Sequence, residues 1–192
     1  MFEVFEEGKV YELLLTTESN VTPVGVVREG VSFFFKLFPG RSFRDVLKNP
    51  RVSIQLTNDA ELLVRTALNM PVHLEFEGQR GYRWISGLPG FYGTVKFEKR
   101  VWKDELGETE VLECRFLPEG VIPGKLDIKP FSRADCILVE MAVLFTRYLV
   151  KPGENLKRRV LELYNLYTHL GGNSDVADYI VSILTGEHQN GH

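Results

Sequence analysis

The sequence predicts a mainly β fold with α, in which a barrel or sandwich of short strands is followed by a C-terminal helical cap. Three observations predict it. Between Val10 and about Leu117 the chain runs in short stretches rich in β-branched and aromatic residues, each bounded by Gly, Pro or Asn. Most of these stretches follow one another with no helical period between them, which favours a barrel or sandwich. After Phe131 the pattern changes to long helical periods, so the expected domains are 1–130 and 131–188.

In chain order, Val10 to Thr17, Thr22 to Val27 and Val31 to Phe38 are three neighbouring strands, bounded by Asn20, Gly30 and the Pro39, Gly40 pair. Arg41 to Lys48 is a small helix, polar on one side and stopped by Asn49 and Pro50. In the strand Arg51 to Thr57, Val52, Ile54 and Leu56 alternate with Ser53, Gln55 and Thr57, the period of a strand with one buried face. Asn58 and Asp59 start a short amphipathic helix over Ala60 to Leu68, before Pro71. Further strands are expected at Val72 to Glu77, Tyr82 to Ile85, Tyr92 to Lys103 and Glu108 to Leu117, the last two joined through the Asp104 to Gly107 turn. A long helix over Phe131 to Leu149 has Ser132 as its cap and Asp135 near its first turn. Its apolar coverage is nearly all round, which predicts burial on more than one side, either between the barrel and the later helices or in a subunit interface. Glu154 to Leu170, ended by Gly171 and Gly172, and Ser174 to about Thr185 complete the cap.

Composition narrows the function classes. The 192 residues are 44% hydrophobic and 26% charged, the balance of a globular protein. A formal net charge of -3 gives no strong field for wrapping nucleic acid. No apolar run approaches the roughly 18–20 residues that span a bilayer, and the amino terminus is acidic, so the chain is expected to be cytoplasmic with no membrane partner. Cys114 and Cys136 have no CxxC spacing and no nearby histidine, which predicts buried free thiols and no metal; His73, His169, His188 and His192 are scattered.

Four constellations could carry chemistry. In KLFPGRSF, Lys36 to Phe43, a strand ends at a Pro-Gly turn and a helix opens with cationic and hydroxyl side chains around Phe38. Arg41 offers a guanidinium fork, Ser42 a hydroxyl and a backbone donor, and Lys36 a cation from the preceding strand, a set suited to one phosphate. The alternative is a helix-capping serine with two solvated cations. In TTESNVTPVGV, Thr16 to Val26, a turn explains most of the composition, but Thr16, Thr17, Asn20 and the backbone around Pro23 and Gly25 could also meet the polar edge of a ring system. In LTND, Asn58 and Asp59 are helix caps first and ligand contacts second. Arg133, Glu140 and Arg147 recur every seven residues on an apolar helix, which predicts an ion network in the cap or across a two-fold interface; Arg133, at the helix start, also remains open as a ligand contact. No GxGxxG, P-loop, GxSxG or HExxH is present.

Taken in order, TTESNVTPVGV, FKLFPGRSFRDVL followed by VSIQLTNDAELLVRTAL, and FSRADCILVEMAVLFTRY resemble a largely archaeal family known as domain of unknown function 447, in the flavin-binding split-barrel superfamily. The resemblance covers nearly the whole chain. It implies a split β-barrel of the FMN-binding type, related to pyridoxamine-phosphate oxidases and flavin reductases, usually a homodimer with FMN at the subunit interface. It assigns Arg41 and Ser42 to the phosphate, Thr16 to Asn20 to the flavin ring, and Asn58 to a place beside it. Ser42 stands where such motifs favour threonine, which keeps the hydroxyl and loses a methyl.

Three functions follow as expectations. The first is an FMN-dependent oxidoreductase of flavin-reductase type, drawing on a nicotinamide electron donor. The second is a non-catalytic module that binds a flavin or another phosphorylated ligand. The third, a nucleic-acid module using Arg41, Arg44 and Lys48, runs against the acidic balance. Tyr11, Asp59 and Glu140 are available proton donors, and none is assigned as catalytic.

Overall fold

Strand-forming runs that alternate apolar residues bury one face best by closing on themselves, which also leaves no unpaired edge. In chain order the strands are β1 (Val10–Thr16), β2 (Val21–Glu29), β3 (Ser32–Leu37), β4 (Arg51–Gln55), β5 (Phe76–Gln79), β6 (Tyr82–Ile85), β7 (Gly90–Asp104) and β8 (Gly107–Ile122). Six of them form a closed antiparallel barrel in the order β1-β2-β3-β8-β7-β4, with β4 returning to β1. β5 and β6 form a separate two-stranded sheet. The computed structural model describes residues 2–104, 107–126, 129–130 and 132–186. The expected turn at Glu105 and Leu106, the helix start at Phe131, and His188 and His192 lie outside the described residues.

Two compact units emerge, Met1–Asn58 with His73–Asp127 and Asp59–Val72 with Ile128–His192. In the first, Leu13 and Leu15 of β1, Phe33 of β3, Ile54 of β4, Phe91 of β7 and Phe116 of β8 fill the barrel. The Phe33 ring lies 5.1 Å from Phe5, 5.6 Å from Phe91 and 6.4 Å from Phe116 between centroids. Each such fully buried side chain contributes about 1.5–3 kcal/mol. The helix α1 (Arg41–Lys48) adds Phe43 and Val46 to the same core, so its apolar side is fixed and its first turn is held in place.

β4 departs from the expected one-sided strand. Ser53 and Gln55 are as completely buried as Val52 and Ile54. The reason is the backbone of β6 and of the loop after it, which satisfies them: Ser53 Oγ donates to Arg83 O (2.8 Å), Gln55 Nε2 donates to Ile85 O and Leu88 O (both 2.8 Å), and Ile85 N donates to Gln55 Oε1 (2.7 Å). The strand expected from Val72 begins only at Phe76.

In the second unit, α2 (Ala60–Ala67), α3 (Arg133–Val150), α4 (Glu154–His169) and α5 (Asp175–Thr185) share a core that includes Val64, Met141, Phe145, Val160 and Ile180. Asp59 caps α2 by accepting from Leu62 N, Ser132 caps α3 by accepting from Asp135 N, and Ser174 caps α5 by accepting from Val176 N. Arg65 ties α2 to itself and to α5, reaching Glu61 at 2.7 Å and Asp175 at 2.6 Å. Within the single chain, Leu138, Met141, Ala142 and Phe145 of α3 make one buried stripe, extended by Leu144, while Leu149 and Val150 are exposed. Arg133, Glu140 and Arg147 lie on the exposed side, and among the described residues of the single chain they form no ion pair. Cys136 is also exposed, against expectation, because it falls off that stripe; Cys114 is buried.

Candidate functional site

Alternation along β1 sends Leu13 and Leu15 into the barrel and brings Thr17, the next residue in that phase, towards α1. There the Asp45 carboxylate collects three donors on one oxygen, Thr17 Oγ1 (2.7 Å), Ser19 N (3.0 Å) and Ser19 Oγ (2.8 Å). Burial pushes the Asp45 carboxyl up, but the hydrogen bonds from Thr17 and Ser19, with Lys48 nearby, outweigh it and hold the group below its ordinary value. Thr17 N donates to Asn20 O at 2.9 Å, closing the turn. On another side Arg83 Nη1 donates to Glu18 O at 3.0 Å, with its guanidinium carbon 3.5 Å over the Phe76 ring.

This turn delivers Asn20 to the helix. Asn20 Nδ2 donates to Ser42 Oγ at 2.9 Å, and Ser42 is only 5% exposed. The hydroxyl is thereby used as an acceptor, and among the described residues no protein group takes its own proton. Gly40, the residue before α1, supplies no side-chain cap, so the first-turn N–H groups keep their donor capacity. The Arg41 side chain is exposed and, among the described residues, makes no hydrogen bond or ion pair. A hydroxyl proton, uncapped amides and a guanidinium thus occupy the same first turn, a donor set that suits an anion.

The other expected residues separate from this cluster. Thr16 faces the opposite side of β1 from Thr17, in register with Ser53; its Oγ1 is buried and, among the described residues, is the one such side-chain atom with no hydrogen-bond partner. Lys36 does not converge on Ser42: it is exposed, and its Nζ sits 3.4 Å from the centre of the Trp102 ring, because β3 in this register directs it along the β7–β8 hairpin. Phe43 is in the barrel core, Phe38 is 51% exposed, Pro23 is half-buried opposite Leu14, and Asn58 is exposed. Arg133 opens α3 in the other unit. Asp45 and Arg83 escaped sequence reasoning; the available signal was the hydroxyl-rich TTESN beside a lone acid in RSFRDVLK.

Two family models account for most of the chain. "Protein of unknown function (DUF447) N-terminal domain" matches residues 11–122, and "Protein of unknown function (DUF447)" matches residues 132–185. The chain belongs to the DUF447 family. Among solved structures, this DUF447 chain is similar to an FMN-bound protein from Methanosarcina mazei, itself assigned to the DUF447 family model, at 21% identity and a TM-score of 0.69, covering 97% of this chain and 99% of that one. That likeness shows the fold, a split barrel of the FMN-binding type followed by helices. A second match is the styrene monooxygenase flavin reductase of Pseudomonas putida S12, at 13% identity and a TM-score of 0.41, covering 60% of this chain and 80% of that one. No curated protein matches the chain. Among the described residues no helix is long and apolar enough to cross a membrane, and no group of three His, Cys, Asp or Glu side chains is placed to hold a metal ion.

Proposed function

We propose that this DUF447 protein binds FMN, with the phosphate monoester at the first turn of α1 and the flavin ring beside the end of β1. The observation that carries the reading is the Asn20–Ser42 hydrogen bond, which occupies the serine as an acceptor and leaves its proton for a ligand oxygen. Arg41 and the uncapped amides add charge and directed donors, and the FMN-bound relative in the same family supports the choice of ligand. The partnerless Thr16 hydroxyl fits a ligand group at the strand end: left buried and unbonded it costs about 1–3 kcal/mol. Pro23, Phe38 and Asn58 are the remaining ring-side candidates, and Arg133 is a candidate only for a site shared between two copies of the chain. A homodimer, a cytoplasmic location and a nicotinamide electron donor complete the reading.

Bound FMN supplies hydride and single-electron chemistry. The chain's part is to seat the phosphate through Arg41 and Ser42 and to hold the turn at Asn20. Tyr11 accepts a hydrogen bond from Glu6 N and Asp59 caps α2, so two of the available proton donors already have structural tasks. Asp45, the acid beside the site, is engaged by three donors, which favours the second reading, a binding module without acid–base catalysis by the chain.

Purified protein titrated with FMN and followed by flavin fluorescence tests the binding reading; no saturation at micromolar FMN sinks it. Arg41→Ala is expected to weaken FMN by roughly ten- to a hundredfold, the scale of one charge-assisted hydrogen bond. Anaerobic addition of NADH or NADPH separates the two functions: bleaching of the oxidised flavin band marks a reductase, and an unchanged band marks a binding module.

A further inference from the structure

We infer that Asp45 and Arg83 are positioning residues for the phosphate seat, acting through the Thr17–Asn20 turn to fix the orientation of the Ser42 hydroxyl. The inference rests on the phosphate reading above. The turn is gripped by opposite charges: Asp45 draws in its donors, the Thr17 and Ser19 hydroxyls and the Ser19 N–H, while Arg83 draws in its Glu18 carbonyl. Charge-assisted hydrogen bonds of this kind are shorter and stronger than neutral ones, so the turn is fixed before a ligand arrives. The product of that fixing is the 2.9 Å bond from Asn20 to Ser42. Asn20 Nδ2 can only donate, so while it is held there the Ser42 proton must point elsewhere, towards an acceptor outside the protein. Without the grip, Asn20 is free to turn, and the Ser42 hydroxyl can satisfy its proton locally instead.

A carboxylate beside an anion site has an obvious opposite effect. By charge alone, removing Asp45 lessens repulsion and tightens an anionic ligand; by positioning, removing it loosens that ligand. The sign of the change therefore decides between them.

The test is a double-mutant cycle on the full chain, titrating FMN and phosphate-free riboflavin, with thermal melts to check folding. Asp45→Asn is expected to weaken FMN about tenfold and riboflavin less than twofold, and to weaken FMN less than twofold when Ser42 is already alanine. Arg83→Met is expected to follow the same pattern with a smaller effect. Asp45→Glu, which keeps the carboxylate, is expected to recover part of the loss. If Asp45→Asn fails to fold, Ser19→Ala removes one of the donors without altering charge and enters the same cycle. Tighter FMN binding by Asp45→Asn, or an equal loss with and without Ser42, overturns the inference while leaving the phosphate seat intact. Wild-type protein that binds FMN no better than riboflavin overturns the seat itself, and the inference with it.

Discussion

Asp45 and Cys114 are both shifted by their surroundings, in opposite directions and with different consequences. The folded Asp45 carboxyl lies below its ordinary value despite burial, because the Thr17 and Ser19 hydrogen bonds favour the charged form. The unfolded chain therefore takes up this proton first as pH falls. The stability Asp45 contributes is complete above the ordinary carboxyl value and is lost as pH drops through the lower folded value. Denaturant midpoints should accordingly show a gap between wild type and Asp45→Asn that is full at about pH 6 and narrows below about pH 4. Burial pushes the Cys114 thiol up to about 12, so at pH 8 it holds almost no thiolate. Alkylation of the native protein, read by mass spectrometry, should modify the exposed Cys136 and spare Cys114 until denaturant is added; labelling of both at equal rates refutes the buried placement. At this scale the sequence was legible where the partner lies a few residues away, as for Asp59, which caps α2 through Leu62 N. It was silent where the partner is a distant backbone: nothing beside Gln55 announces that Ile85 and Leu88, some thirty residues on, will take its amide.

Elements were readable in proportion to how locally their ends are determined. The α1 limits match expectation because Pro39–Gly40 and Asn49–Pro50 enclose it, and the caps of α2, α3 and α5 are short polar side chains bonding within three residues. β5 was misread because its start is set by its partner. Arg80 and Gly81, at φ 52° and 82°, make a two-residue turn that pairs Gln79 with Tyr82 and Phe76 with Ile85, so the alternating residues before Phe76 never join the ladder. β7 and β8 ran beyond their expected limits for the same reason, since each continues as long as the other does. Their irregularity between Tyr92 and Gly93 has a strict requirement: a Cβ on Gly93 would collide with Leu117 O and Pro118 Cα. Gly93→Ala should therefore cost roughly 1–3 kcal/mol in chemical denaturation, the usual cost of overpacking, and a loss below a few tenths would show that the strand can shift to make room.

For the molecule as a whole, a ligand that binds only the native state adds stability by mass action. FMN at 100 times its dissociation constant should raise the unfolding free energy by about 2.7 kcal/mol, and Arg41→Ala should cut that gain to roughly 0.4–1.4 kcal/mol at the same FMN concentration. A barrel or sandwich followed by helices was legible from periodicity, because strands and helices bury their faces with different repeats, and the choice of a barrel came from the family resemblance. The assignment of residues to units was not, because it depends on which face meets which. α2 lies in sequence among the barrel strands yet places Ala60 and Val64 in one core with Leu138, Met141 and Phe145. Order of synthesis gives that placement a cost in time. At roughly 5–20 residues per second, α2 leaves the ribosome on the order of ten seconds before the helix that covers it, and in that interval its apolar side faces water or a chaperone. A nascent chain stalled after β8 should accordingly be bound by holdase chaperones through residues 60–68, and release should coincide with the emergence of α3.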